Sequence, residues 1–176
     1  MVDKNKEKLK LPNVTLVCVD DLHTERALKM VRDISRLIDF ADAKVFASSV
    51  PAISDLADTR DAPLGTFHQS PLWDLLVKIP PIEKIKDYDE FIFKNLNNFI
   101  STDFCMIVQL DGHPIRLEAW RQEFLDYDYI GAPWTWVSSL PNPRESFDHC
   151  PTGNCVGNSG FSIRSKKLME VLEQRA

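Results

Sequence analysis

Asp20 and Asp21 close one apolar run, VTLVCVD followed by Asp21, and Asp111 closes another, DFCMIVQLDG. A carboxylate at the end of a buried strand is well placed to offer hard oxygen to Mg2+ or Mn2+, which would join it to the phosphates of a nucleotide. Taken singly, each Asp serves equally well as a turn or helix-cap residue. A second stretch, GNCVGNSGFSIRS from 153 to 165, is nearly bare of side chains before it turns into FSIRS. Backbone N–H groups there can approach a ligand closely, with Asn154 and Asn158 bonding hydroxyls and Arg164 bonding a phosphate. On glycine content alone, a tight turn leading into a strand is the simpler reading. In YDYIGAPW, 127 to 134, Tyr127, Tyr129 and above all Trp134 offer flat faces to a sugar ring, with Trp136 close behind. Asp126 or Asp128 can accept from hydroxyls, and Asp128 is the candidate general base if its surroundings tune it. Aromatic side chains near strand ends more commonly pack the core or its rim.

The elements that must position these groups alternate along the chain. Residues 1–12 form a charged, Lys-rich tail without an apolar face and are expected to be unstructured. Residues 14–20 are β-branched and apolar and predict a buried parallel strand. TERALKMVRDISRLIDF repeats Ala27, Met30, Val31, Ile34, Leu37 and Ile38 at helical spacing, with Thr24 as its cap. AKVFASS, 43 to 49, gives a second strand and completes a βαβ unit. Residues 50–82, with five prolines, read as loop with a short strand at most. YDEFIFKNLNNFI sets Tyr88, Ile92, Leu96 and Phe99 on one side of a helix, and DFCMIVQLDG follows as a strand. A short helix at LEAWRQEFL, a strand at DYIGAP, a Pro-, Trp- and Ser-rich loop to 150, FSIRS and the helical KKLMEVLEQ complete the order. This alternation predicts a three-layer α/β domain, from residue 13 to 176, with a mainly parallel sheet. Ligands of such sheets lie beyond the carboxyl ends of the strands, where strand order reverses.

Composition narrows the function classes. The chain has 176 residues, 44% hydrophobic and 27% charged, which suits one folded domain. Its 26 acidic residues outnumber 21 basic ones, for a net charge of -5, and there is no basic stripe interleaved with aromatics. Nucleic acid is therefore not the expected partner. No run approaches the ~18 apolar residues of a membrane span, and the charged N-terminus has no apolar segment behind it, so a cytoplasmic location is expected. Cys18 and Cys105 sit in apolar runs and are expected to be small buried hydrophobes. Cys150 and Cys155 flank PTGN beside His149, but their spacing completes no zinc pattern, and two loop thiols are the better reading.

Together, VQLDG (108–112), EAW (118–120), EFLDYDYIGAPW (123–134) and VGNSGFSIRS (156–165) form an ordered series. In it the chain resembles the domain of unknown function 5672 family, whose members look like GT-A-type glycosyltransferases, the nucleotide-diphospho-sugar transferases, with Q-x-D-G, YDYIGAPW and GNGGFSLRS elements. The resemblance is densest over about residues 89–169. It implies that Asp111 is the last acid of a D-x-D motif, holding a metal against the diphosphate of a nucleotide sugar. Gln109 stands where the preceding acid would be, which implies weaker metal affinity, a further ligand elsewhere, or no metal. Gly157, Asn158 and Gly160 match the glycine element that borders donor sugar and acceptor, while Ser159 replaces its usual glycine. The resemblance thus implies donor and acceptor contacts from Gln109, Gly157, Asn158 and Gly160, and the residue chemistry above adds Asp20, Asp21, Trp134 and Arg164 to the expected set.

The expected activity is transfer of a sugar from a nucleotide-sugar donor to a glycan or other hydroxyl acceptor, with Asp111 and Asp128 carrying the chemistry. The missing acid at Gln109 and the stop at Ala176, soon after the glycine stretch, motivate an alternative: a catalytically silent sugar- or nucleotide-binding module, or a truncated enzyme. Glycoside hydrolysis requires two carboxyl groups about 5 to 10 Å apart, and no motif supports it. Zinc deaminase, serine hydrolase and P-loop signatures are absent.

Overall fold

The computed structural model describes residues 8–51, 72–134 and 155–175. Three strands and a helix open the fold: β1 (Leu9–Val19), α1 (Thr24–Leu37), β2 (Ile38–Ala47) and the short β3 (Leu76–Lys78). A helical segment follows as α2 (Ile85–Glu90), a π turn (Phe91–Asn95) and a 3-10 turn (Leu96–Phe99). Then come β4 (Phe104–Val108), 3-10 turns at Leu117–Ala119 and Gln122–Asp126, β5 (Tyr129–Trp134), β6 (Cys155–Ser165) and α3 (Lys166–Arg175). The six strands form one sheet in the order β3-β2-β1-β4-β6-β5.

β1 pairs in parallel with both β2 and β4, and β2 with β3. β4 with β6 and β6 with β5 are antiparallel, so the sheet is mixed and the expectation of a mainly parallel one is corrected. The βαβ unit stands as expected. The antiparallel half arises because the glycine stretch is itself strand: Cys155 opens β6, and the chain runs back along β4. The strand expected at FSIRS thus begins earlier, at Cys155, and includes the glycine positions from Gly157. Glycine lowers strand propensity but is at home at bulges, and the β5–β6 register shifts on both sides of Ala132.

Alternation along β1 feeds two cores. Leu16 and Cys18 face Ala27, Leu28, Val31 and Ile34 of α1, while Val17 and Val19 face Phe91, Ile92, Leu96 and Met169 from α2's continuation and α3. A strand buried on both faces leaves no room for polar alternation, and the one hydroxyl in VTLVCV, that of the fully buried Thr15, is paired with Thr102 Oγ1 at 2.8 Å. Trp120 and Phe124, from the EAW and EFL segments, pack on the α1 side, their rings edge to face at 5.4 Å. The π turn carries a hydrogen bond from Leu96 N–H to the Phe91 carbonyl, five residues back, and both side chains are buried.

Several expected boundaries change. The first helix, expected to run to Phe40 with Ile38 on its apolar face, ends at Leu37, and Ile38 opens β2, ahead of the strand expected at 43. β1 begins at Leu9, inside the expected tail, and Leu11 is fully buried. Pro12 and Asn13 fall within an irregularity between Leu11 and Thr15, so the bulge absorbs residues that look like strand breakers. Thr24 is the first helical residue rather than the cap; His23 holds that position without a side-chain hydrogen bond. No helix among the described residues is long and apolar enough to cross a membrane.

Candidate functional site

Strand order reverses between β1 and β4. β2 and β3 lie on one side of β1 and the later strands on the other, so the ends of β1 and β4 diverge into separate connections. In such sheets the reversal opens a crevice beyond the carboxyl ends. A cleft of about 570 Å3 lies there. One wall comes from Val19 to His23 and Arg26, a second from Ile82 to Ile85 and Tyr88, and the third from Leu110 and Asp111. Asp20, Asp21 and Asp111 are thereby brought to one cleft.

The three acids are not equivalent. Asp20 Oδ1 accepts from the N–H groups of Leu22 (3.0 Å) and His23 (2.7 Å), turning the chain from β1 into α1. Asp21 ties three segments together: its oxygens accept from Ser48 N–H (2.6 Å), Ser48 Oγ (2.7 and 2.8 Å) and Ile82 N–H (3.0 Å). Burial pushes the Asp21 carboxyl up, but hydrogen bonds from Ser48, Ile82 and Ser49 together outweigh it and hold the group below its ordinary range. Asp111 is exposed and sits in a two-residue turn closed by reciprocal Gln109–Gly112 backbone bonds of 2.9 and 3.0 Å. Among the described residues its carboxylate has no hydrogen-bond donor, so of the three it alone has both oxygens uncommitted to the fold.

Gln109 is tied to the cleft wall instead of facing a ligand by itself: its Nε2 donates to Tyr88 Oη at 3.3 Å. Behind the turn, a Cβ on Gly112 would meet the Gly160 carbonyl oxygen at 3.2 Å and Phe161 Cβ at 3.3 Å. The Asp111 turn therefore rests on the glycine strand, and Gly160 is buried beneath it. Gly157 and Asn158 lie in the same strand, Asn158 opposite Ala132, and Trp134 lies opposite Cys155. Asn154, Trp136, His149 and Cys150 fall outside the described residues.

Asp128 and Arg164 belong to the other end of the sheet. β6 runs against β4, placing Ser165 beside Phe104 at the start of β4 and Arg164 beside Cys105. Ser165 Oγ accepts from Leu168 N–H (3.0 Å), capping α3, and donates to Asp128 Oδ1 at 2.7 Å. That bond first, and Lys167 next, hold the Asp128 carboxyl below its ordinary range, which makes it a weaker base. Arg164 is buried, its guanidinium 5.8 Å from the Phe93 ring centroid and 5.6 Å from that of Tyr129. The Tyr129 ring in turn lies over Gly131, where a Cβ would stand 2.7 Å from its hydroxyl. Tyr129 and Gly131 of YDYIGAPW thus have a packing role. Cys18 and Cys105 are buried free thiols, pushed up to about 12 by burial and therefore unreactive as thiolates.

Sequence reading missed Arg26, Lys84, Leu22, Ile85 and Ser48. Arg26 and Leu22 were in sight beside Asp20 and Asp21; Lys84 and Ile85 follow the proline-rich stretch, where nothing in the pattern announced a cleft wall. No curated protein and no solved structure matches the chain. A family model described as "Protein of unknown function (DUF5672)" matches residues 76–176, from β3 to the end and including Lys84, Gln109, Asp111 and Gly160. With more than half of its length matched, the chain belongs to the domain of unknown function 5672 family.

Proposed function

We propose that the chain is a GT-A-like domain that binds a nucleotide sugar across the β1–β4 cleft and passes the sugar to a hydroxyl acceptor. The observation that carries this reading is the placement of Asp111, with both oxygens uncommitted, in the cleft where strand order reverses. The base and ribose lie toward the β1–α1 wall, the diphosphate between the walls, and the transferred sugar near the Asp111 turn and the glycine strand behind it. Asp111 orients the reacting end and accepts the acceptor's proton, while Tyr88, held by Gln109, closes the α2 side.

A divalent ion is what the resemblance implies at Asp111. The described donor set does not suit one: although Asp20, Asp21 and Asp111 share the cleft, no three His, Cys, Asp or Glu side chains among the described residues are grouped to hold one ion, Asp21 is saturated and Asp20 Oδ1 is occupied.

The test is sugar release or transfer from UDP-, GDP- and CMP-sugars by the wild type and Asp111→Asn. The reading expects turnover with one donor class and its loss in the variant; full turnover by the variant removes Asp111 from the mechanism. The alternative, a silent binding module, is favoured by Gln109 being engaged with Tyr88 and leaving a single free carboxylate. Binding without turnover would select it.

A further inference from the structure

The cleft carries two cations that the fold does not use. Along α1 the other exposed or half-buried cations have partners: Lys29 with Glu25, and Arg32 and Arg36 with Asp33. On the α2 side Lys94 pairs with Glu90, while Lys86, within α2, has no ion pair among the described residues and does not line the cleft. Arg26, in the first turn of α1, and Lys84, immediately before α2, have no ion pair among the described residues. They stand on different walls of the same cleft. Beside them are Leu22 and Ile85, 86% and 81% exposed, two of the most exposed large apolar side chains described. An apolar side chain this exposed at a cleft mouth, next to an unpaired cation, suits a ligand with an anionic centre and a flatter, less polar flank.

Resting on the reading of the cleft as a nucleotide-sugar site, we propose that Arg26 and Lys84 hold the diphosphate of the ligand between them, so that binding needs no divalent ion. Each guanidinium or ammonium supplies charge-assisted hydrogen bonds to phosphate oxygens. Two positive charges from different lining segments take over the neutralisation that a metal would supply; of the four carboxylates that line the cleft with them, Asp20, Asp21, Glu83 and Asp111, the first two are committed to backbone and Ser48. The shared chemistry is a diphosphate; whether it arrives alone or on a nucleoside is decided by Leu22 and Ile85.

The experiment is calorimetric titration of the whole chain with inorganic pyrophosphate, UDP, GDP and CDP, in EDTA and in Mn2+. The proposal expects binding in EDTA, weakened about tenfold by Arg26→Ala and by Lys84→Ala, and kept within threefold by Arg26→Lys and Lys84→Arg. Tighter binding of one nucleoside diphosphate than of pyrophosphate assigns the source as a nucleotide; equal binding assigns free diphosphate and supports the anion site while contradicting the nucleotide reading. Binding that appears only with Mn2+, is lost in Asp111→Asn and ignores both alanine variants overturns this proposal and leaves the transferase reading standing. No binding under either condition overturns both. A melting midpoint near that of the wild type shows that each variant is folded.

Discussion

Gly112 and Gly160 meet so closely that a methyl group on Gly112 would lie 3.2 Å from the Gly160 carbonyl oxygen. The neighbour is backbone in the middle of a strand and cannot rotate away. Gly112→Ala is therefore expected to cost about 1–3 kcal/mol, as overpacking does, and to displace the turn that carries Asp111. Urea unfolding and donor turnover should both fall; an alanine variant as stable as the wild type would show that the turn is not seated on the glycine strand.

Asp21 is a tie between β1, the end of β2 and the segment before α2, and this predicts a pH signature. Its folded carboxyl is held below its unfolded value, so the stabilisation is fully present above the unfolded value near pH 4 and is lost as pH falls below it through the folded value. Asp21→Asn turns an NH2 toward N–H and hydroxyl donors and should cost about 1–3 kcal/mol. Acid unfolding of the variant should show a shallower loss of stability below pH 4 than the wild type. Superimposable acid curves would contradict the tie.

At the other end of the sheet, Asp128→Asn is expected to leave donor turnover unchanged, because Asp128 supports the cap of α3 and lies away from the cleft. Ser165→Ala should lower stability by about 1 kcal/mol through loss of that cap. A large fall in turnover on Asp128→Asn, with unfolding unchanged, would return the residue to the chemistry.

Arg164 offers a contrast between charge and volume. Among the described residues its buried Nε has no hydrogen-bond partner, while the guanidinium lies against Phe93 and Tyr129. Arg164→Met keeps the length of the side chain and removes the desolvated charge, so its stability should stay within about 1 kcal/mol of the wild type. Arg164→Ala opens a cavity and should cost about 2–4 kcal/mol. Equal losses in the two variants would mean that the charge itself holds the rings.

Periodicity made the central elements legible. The apolar run ending at Asp20 and the stripe through Ala27, Val31 and Ile34 lead directly to β1 and α1, because both bury large faces. Asp20, Asp21 and Asp111 were likewise visible as strand ends. What could not be read was direction and division of labour. Nothing in VGNSGFSIRS says that it pairs antiparallel to β4, which is what sends Arg164 and Asp128 away from Asp111. Nor does the sequence distinguish an Asp committed to Ser48 from one open to a ligand, since that depends on which loop ends become neighbours. Leu9 and Leu11 were hidden behind Pro12, whose disruption a bulge accommodates.

The most direct test of the central claim is to map where a nucleotide lands, by following backbone amide resonances of the 15N-labelled chain during titration with UDP, GDP and CDP. The account predicts that one of them shifts residues 20–26, 82–88 and 110–112 together, with little change at Asp128 or Ser165. Shifts confined to the β5 edge and α3, or none with any nucleotide, would contradict it.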